Sequence, residues 1–374
     1  MPGWPASPSQ PRPLSAGVEP RAWCAIVLRD ALERAWWQPG PSWSTALLAP
    51  LSVLYGLLRW LARLGWRRGW RQPWRAPVPV LVVGNLVVGG AGKTPTVIAL
   101  AQALGRRGWR AGIVSRGYGA SQADVDGPRQ VHADSSAHQV GDEPLLMARR
   151  TGRPVWVGAR RVAAVKALCA HHPEVDLIIS DDGLQHLALQ RDAQLVLFDD
   201  RGTGNGRLLP AGPLREPLPE HLPARTLVLY NAARPSTSLP GDCAGRGLAG
   251  IQPLAAWWRQ EPVPPSMDAW RGRRVLAAAG IGHPERFFTM LEQAGLQVER
   301  LPLADHAPLH PLPWPPQTPV VVVTEKDAVK LPLSPPSGAN QPDTSAIQVA
   351  TLDFVIPDST VDALERLLLP LRKH

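Results

Sequence analysis

Val78-Pro-Val-Leu-Val-Val-Gly-Asn-Leu-Val-Val-Gly-Gly-Ala-Gly-Lys-Thr-Pro95 decides the fold. Val78–Val83 reads as a short apolar strand, and Thr96–Arg107 as a helix with Val97, Leu100, Ala101 and Leu104 on one face. Between them lies a glycine-rich turn. Glycines let successive backbone N–H groups curl inward around a phosphate, and the helix N-terminus adds partial positive charge. Gly89, Gly90, Ala91 and Gly92 would form the cradle. Lys93 would reach the terminal phosphates of ATP, and the Thr94 hydroxyl would face Mg2+. Pro95 costs nothing in the first helical turn. The commonest form of this loop has Gly where Val87 stands, and the variant of partition-type ATPases has Lys where Val88 stands.

Outward from this segment, apolar strands alternate with helical stretches. Ala111–Ser115, Pro154–Gly158, Asp176–Ser180, Gln194–Phe198 and Thr226–Tyr230 read as strands, with helices from Pro144 and over Arg160–His171. Strands apolar on both faces belong to a parallel sheet covered by helices. The fold class is therefore α/β, a phosphate-loop domain with a mostly parallel sheet. A second run, with strands near Arg274 and at Val320–Thr324 and a helix over Pro284–Ala294, implies a second, smaller α/β domain. Residues 231–270 carry little pattern and read as the join.

The chain has 374 residues, enough for two ordinary domains, and is 44% hydrophobic, which excludes wholesale disorder. Its 42 prolines are about twice ordinary usage and crowd 1–20 and 302–342, read as loop-rich or poorly ordered. Three scattered cysteines exclude a disulfide scaffold and a zinc cluster and fit a reducing compartment. The start lacks the ordered parts of a signal peptide. Net charge is +9, yet Arg34–Ala123 holds twelve Lys and Arg and no acid. Such a basic region attracts phosphate. Trp43–Leu58 is an uncharged stretch of 16 residues, as a helix roughly 24 Å long and short of the ~30 Å hydrocarbon core. Arg59, Arg63 and Arg67 follow at four-residue spacing among Trp60, Leu61, Leu64 and Trp66. Trp and Arg ending an apolar helix suit the headgroup layer, so a membrane-associated helix is expected, against a helix merely packed on the body.

Three acidic groups follow. Asp181-Asp182-Gly183 ends an apolar strand at the edge that carries Lys93, where a carboxylate holds Mg2+, although Asp-Gly also marks ordinary turns. His186 could join that site or cap a helix. Asp142-Glu143 precedes a helix, and from spacing alone reads as an N-cap with a dipole partner. Asp305-His306 in a Pro-rich loop is a weak signal. Thr324-Glu-Lys-Asp327 reads as a solvated turn.

Together the motifs resemble the tetraacyldisaccharide 4'-kinase family, the lipid A 4'-kinases. They are VVGNLVVGGAGKTP (82–95), SRGYG (115–119), GDEP (141–144), DDGLQH (181–186), LLPAGPLREP (208–217), AGIGHPERFF (279–288), Asp305-His306 and TEKDAVK (324–330). They run in the family's order over roughly 43–330, and Val87 matches the family's own loop. The resemblance implies transfer of the ATP γ-phosphoryl group to the 4'-hydroxyl of a tetraacylated glucosamine disaccharide 1-phosphate in lipid A biosynthesis. It implies Asp142 as the base, with His306 as its partner across a cleft between two domains. ATP and Mg2+ would lie on Gly89–Thr94, with Asp181 and Asp182 beside the metal, and Tyr118, Glu143, Arg161, Arg215 and Glu216 around the site. The expected organisation is a disordered extension over 1–21, a membrane-associated region over 22–75, the phosphate-loop kinase domain over 76–230 and the closing domain over 231–374. The enzyme would sit at the cytoplasmic face of the inner membrane, as a peripheral or single-helix anchored protein, touching anionic lipid and a membrane-embedded acylated acceptor.

Two other readings compete. A membrane-associated partition or insertion-factor ATPase would share the loop and the carboxylate-ended strand, but Val88 counts against it. A nucleic-acid binder is suggested by the pI near 10.2. It is disfavoured because the cations adjoin an apolar helix rather than an aromatic stacking surface.

Overall fold

The computed structural model describes residues 32–38, 40, 42–117, 127–264, 266–332 and 346–372. The expected extension over 1–21 lies outside them. Helical residues 32–37 (α1) and Trp43–Leu47 (α2) lead into α3, Ala49–Arg67. The phosphate-loop segment then forms β1 (Val80–Asn85) and α4 (Lys93–Arg106). The strand starts two residues later than the apolar run, and the helix three residues earlier than its apolar face. Gly92, at φ +83°, caps α4 and lets the helix begin directly at Lys93.

There follow β2 (Ala111–Ser115), β3 (Arg129–Val131), α5 (Ala137–Val140), α6 (Asp142–Thr151), β4 (Val155–Val157), α7 (Arg161–His171), β5 (Leu177–Asp181), β6 (Ala193–Asp199), β7 (Thr226–Asn231) and β8 (Asp242–Cys243). They build an eight-stranded sheet in the order β3-β4-β2-β5-β1-β6-β7-β8. All neighbours run parallel except β3 against β4. Register pairs Val83 with Asp181 and Asn85 with Leu197, so β1, β5 and β6 end at one edge. Ligands of open parallel sheets bind outside that carboxyl edge.

Residues 231–270 are not a featureless join. They contain β8, the nine-residue β9 (Gly245–Pro253) and α8 (Leu254–Trp258). β9 is weakly patterned because it is the antiparallel edge strand of a second sheet and is exposed at its start. With β10 (Arg274–Ala279), β11 (Gln297–Pro302), β12 (Val321–Thr324) and β13 (Ile347–Val355), the order is β11-β10-β12-β13-β9. The chain changes sheet between Cys243 and Gly245. Helices α9 (Pro284–Gln293), α10 (Glu325–Ala328) and α11 (Asp358–Leu368) complete the described elements.

Alternation along β1 explains the layering. Leu81 and Val83 point into a core shared with α4, α6 and the second sheet, which supplies Leu276, Val321 and Val323. Val80 and Val82 point into a separate core under α7. Each fully buried side chain of this size contributes about 1.5–3 kcal/mol. The shared core and the return of α11 join the two sheets. Glu365 of α11 accepts from Trp109 Nε1 at 3.0 Å and from Arg107 at 2.9 Å, just beyond α4.

No helix among the described residues is long and apolar enough to cross a membrane. The face of α3 toward the body is polar. Ser52 Oγ donates to Leu208 O at 2.8 Å, the Tyr55 hydroxyl donates to Arg215 O at 3.1 Å, and Arg59 and Arg63 both bond Glu216. Leu51, Val53, Leu54, Leu57, Leu58, Trp60 and Leu61 face solvent. The expected basic stripe is therefore divided. Arg59 and Arg63 hold the body, while Arg67, Arg68 and Arg71 are exposed beside Trp70.

Candidate active site

The loop after β1 is held from below. Asn85 Nδ2 donates to Gly89 O at 3.1 Å, and Lys93 Nζ donates to Asn85 Oδ1 at 3.3 Å. Gly89 sits at φ +91°, and a Cβ on Gly92 would lie 2.3 Å from Asn231 Nδ2, so both positions require glycine. Ala91 is fully buried, and a Cβ on Gly90 would meet nothing within 4 Å. The open side of Gly90 and the inward-curled backbone fit a nucleotide phosphate. Asn231, at the end of β7, props the loop through Ala91 O at 3.5 Å and was not found from sequence. Its position at a strand end beside the loop was the available signal.

Asp181 ends β5 under this loop. Ser115 Oγ donates to its Oδ2 at 2.8 Å, while its buried Oδ1 has no hydrogen-bond partner among the described residues. Burial and the charges of Glu143 and Asp182 push its carboxyl up to about 7, against the pull of Lys93 and Ser115. An orphaned carboxylate oxygen beside a phosphate cradle fits a hard cation, which would complete its shell with phosphate oxygens. No cluster of three or more His, Cys, Asp or Glu side chains suited to a metal occurs among the described residues. Asp182 accepts from Arg215 at 3.2 Å and lies 3.9 Å from Lys93. Burial would raise its carboxyl, but Lys93 and Arg215 outweigh burial and hold it below the usual range.

Asp142 is the first residue of α6, after Gly141 at the cap. Its Oδ1 accepts from Glu143 N at 2.8 Å, but Gly141 and not Asp142 is the N-cap, so of the helix-end reading only the first-turn place of Glu143 holds. Both carboxylate oxygens also face His306 Nδ1, at 3.0 and 2.8 Å, across 164 residues of chain. Asp142 is 4% exposed. Burial would raise its carboxyl, but the His306 bond and the charges of Lys326 and Lys330 more than offset this and leave it below normal. The same bond raises His306 above its ordinary value, against burial and Lys326.

The segment 324–330 is not a solvated turn. Thr324 Oγ1 caps α10 by accepting from Asp327 N at 3.1 Å, and Glu325 and Asp327 are buried. Thr-x-x-Asp is a helix-start signature, and that signal was present in the sequence. Glu325 accepts from Arg150 of α6 and from Trp257 of α8, tying three elements together. Lys326 reaches Glu143 at 2.9 Å and Asp305 at 3.0 Å. Neither Lys326 nor Lys330 had been singled out as a site residue.

One cleft of about 260 Å3 is lined by Gly90, Gly92, Lys93, Thr94, Glu143, Asp305 and Lys326, together with His283 and Arg286 from beyond β10. Arg161 is buried, donating to Gly158 O at 2.8 Å and Asp181 O at 3.2 Å, and burial pulls it down to about 10. Glu216 is drawn away by Arg59 and Arg63 into the α3 contact. Tyr118 lies outside the described residues. His186 receives no ligand role from its contacts. Its carbonyl accepts from Arg191 at 3.2 Å, and burial beside Arg161 and Arg116 pulls its ring down to about 4.

A family model described as tetraacyldisaccharide-1-P 4'-kinase matches residues 44–369. A tetraacyldisaccharide 4'-kinase of Leptothrix cholodnii is 50% identical over 342 residues, 90% of this chain and 95% of that protein. One of Methylibium petroleiphilum is 49% identical over 355 residues, 94% of this chain and 97% of its own length. Among solved structures, the "apo" form of LpxK from Aquifex aeolicus in complex with ATP is similar at a TM-score of 0.68 and 26% identity, over 87% of this chain and 99% of that one.

Proposed function

This chain belongs to the tetraacyldisaccharide-1-P 4'-kinase family, and from that premise we propose how its residues carry the reaction. The protein is an ATP-dependent kinase that phosphorylates the 4'-hydroxyl of a tetraacylated glucosamine disaccharide 1-phosphate in lipid A biosynthesis. The carrying observation is the Asp142–His306 contact, whose chain neighbours Glu143 and Asp305 line the cleft that also holds Lys93 and Thr94. Asp142 accepts the proton of the sugar hydroxyl, and His306 orients the carboxylate. Such general-base help is typically worth ~10²–10⁴-fold.

Gly89, Gly90, Ala91 and Gly92 present backbone N–H groups to ATP, and Lys93 and Thr94 complete that site. Thr94, Asp181 and Asp182 would hold Mg2+, Asp182 being paired to Lys93 and Arg215. Bound Mg2+ supplies neutralisation of the charge that develops on the transferring group. Arg161 and Arg215 keep the region around Asp181 and Asp182 cationic, and Glu143 is presented by Lys326. Tyr118 is carried as an acceptor residue by motif alone.

An acylated acceptor remains in a bilayer, so the kinase works at its surface. The outward apolar face of α3 supports a peripheral seat on the cytoplasmic side of the inner membrane. Arg67, Arg68 and Arg71 would meet anionic headgroups at about 1 kcal/mol each. Glu216 serves as the hook for α3. Incubating the purified protein in detergent with radiolabelled ATP and the disaccharide tests the function. Label in the extractable lipid is expected; label appearing only as free phosphate contradicts it.

A further inference from the structure

We propose that Lys326 fixes the tautomer of His306, holding its single ring proton on the nitrogen that faces Asp142. The inference rests on the reading of Asp142 and His306 as the proton-accepting pair. A lysine ammonium has three donors and no acceptor. Here three acceptors surround it: Glu143 Oε1 at 2.9 Å, Asp305 Oδ1 at 3.0 Å and His306 Nε2 at 3.3 Å. Because an ammonium only donates, Nε2 must accept, and so carries no proton. The proton of the neutral ring then sits on Nδ1, 2.8 Å from Asp142 Oδ2, where the acceptor is a carboxylate. The two contacts demand the same tautomer from opposite sides of the ring.

Lys326 is built into this position. α10 is capped by Thr324, and Asp327 binds both Gly280 N at 3.0 Å and Lys330 at 2.8 Å. Gly280 in turn accepts from His306 N at 3.3 Å, so the loop bearing the histidine and the helix bearing the lysine share one anchor. Asp142 of α6, Asp305 of the ring's own loop and Lys326 of α10 face the ring, while Glu143 pairs with Lys326 and Lys330 lies 3.9 Å from Asp142. Lys326 opposes the imidazolium directly, since protonated Nε2 would face an ammonium, and its charge lowers both His306 and Asp142. It acts through His306 and is a positioning residue.

The test uses the full chain labelled with 15N-histidine, with His306 assigned from His306→Gln. At a pH where the ring is neutral, the unsubstituted protein is expected to show protonated Nδ1 and bare Nε2. A protonated Nε2 overturns the proposal without any Lys326 variant having to fold. In Lys326→Met, loss of a cation raises both His306 and Asp142. The acid limb of the kcat profile should therefore move toward alkaline pH by about one unit. Lys326→Arg, again a donor only, should restore the limb. An unmoved limb in folded Lys326→Met refutes the lysine's role while leaving the dyad intact. Wild-type turnover in Asp142→Ala would instead remove the dyad itself, whatever the tautomer.

Discussion

The glycine loop and the Asp142–His306 pair flank one cleft, which Lys93, Glu143 and Asp305 line, but are built in opposite ways. The cradle is a single continuous segment, β1 to the start of α4, whose internal bonds link residues four and eight apart. The pair joins α6 to a loop 164 residues away and is steadied by α10 of the second sheet. The loop is secured within the first sheet, by its own bonds and by Asn231 of β7, and the pair only by packing two sheets together. The nucleotide site should therefore tolerate damage to the second sheet, and the proton step should not.

Three substitutions sharpen or break that contrast. The largest effect is expected for Lys93→Ala, which removes the cation of the cradle. Turnover should fall by about 10³-fold or more, with ATP affinity lost as well. Wild-type turnover there would break the local half of the comparison. His306→Ala should reduce kcat at least about tenfold while ATP still binds. Its pH profile should also flatten. The bond to Asp142 raises the histidine, so neutral imidazole forms only as pH climbs through that raised value. Turnover of the unsubstituted enzyme should rise over the same range. Loss of ATP binding in His306→Ala would place the histidine on the other ligand. The smallest effect belongs to Glu216→Gln. It loosens α3 from Arg59 and Arg63, so limited proteolysis should release the helix sooner, while turnover on detergent-dispersed acceptor drops less than about tenfold. A loss as deep as that from removing Asp142 would mean that Glu216 touches the acceptor.

The same contrast explains what could be read from the sequence. The parallel sheet, the helix face Val97–Leu104 and the cradle follow from short-range periodicity and glycine placement. Asp142 by spacing alone was a helix-end residue, because nothing local points to His306; only the family motifs brought the two together. Edge strand β9 escaped notice because it is half exposed and patterned weakly, and β13, an inner strand between β12 and β9, because its second half carries exposed and polar residues. The 324–330 segment looked solvated because its charges are dense, yet they are paired with one another and with α6. Charge density in sequence does not reveal burial when partners come from distant elements. The arginines of α3 show the converse. Their four-residue spacing was correctly helical, but two of the three face the protein.

The central claim is that Asp142 takes the acceptor's proton beside a cleft whose nucleotide loop does not depend on the second sheet. Single-turnover phosphorylation of the lipid acceptor by Asp142→Asn, alongside its ATP affinity, tests this most directly. The account predicts a rate reduced by ~10²–10⁴-fold with ATP affinity unchanged. A rate close to that of the unsubstituted enzyme would contradict it.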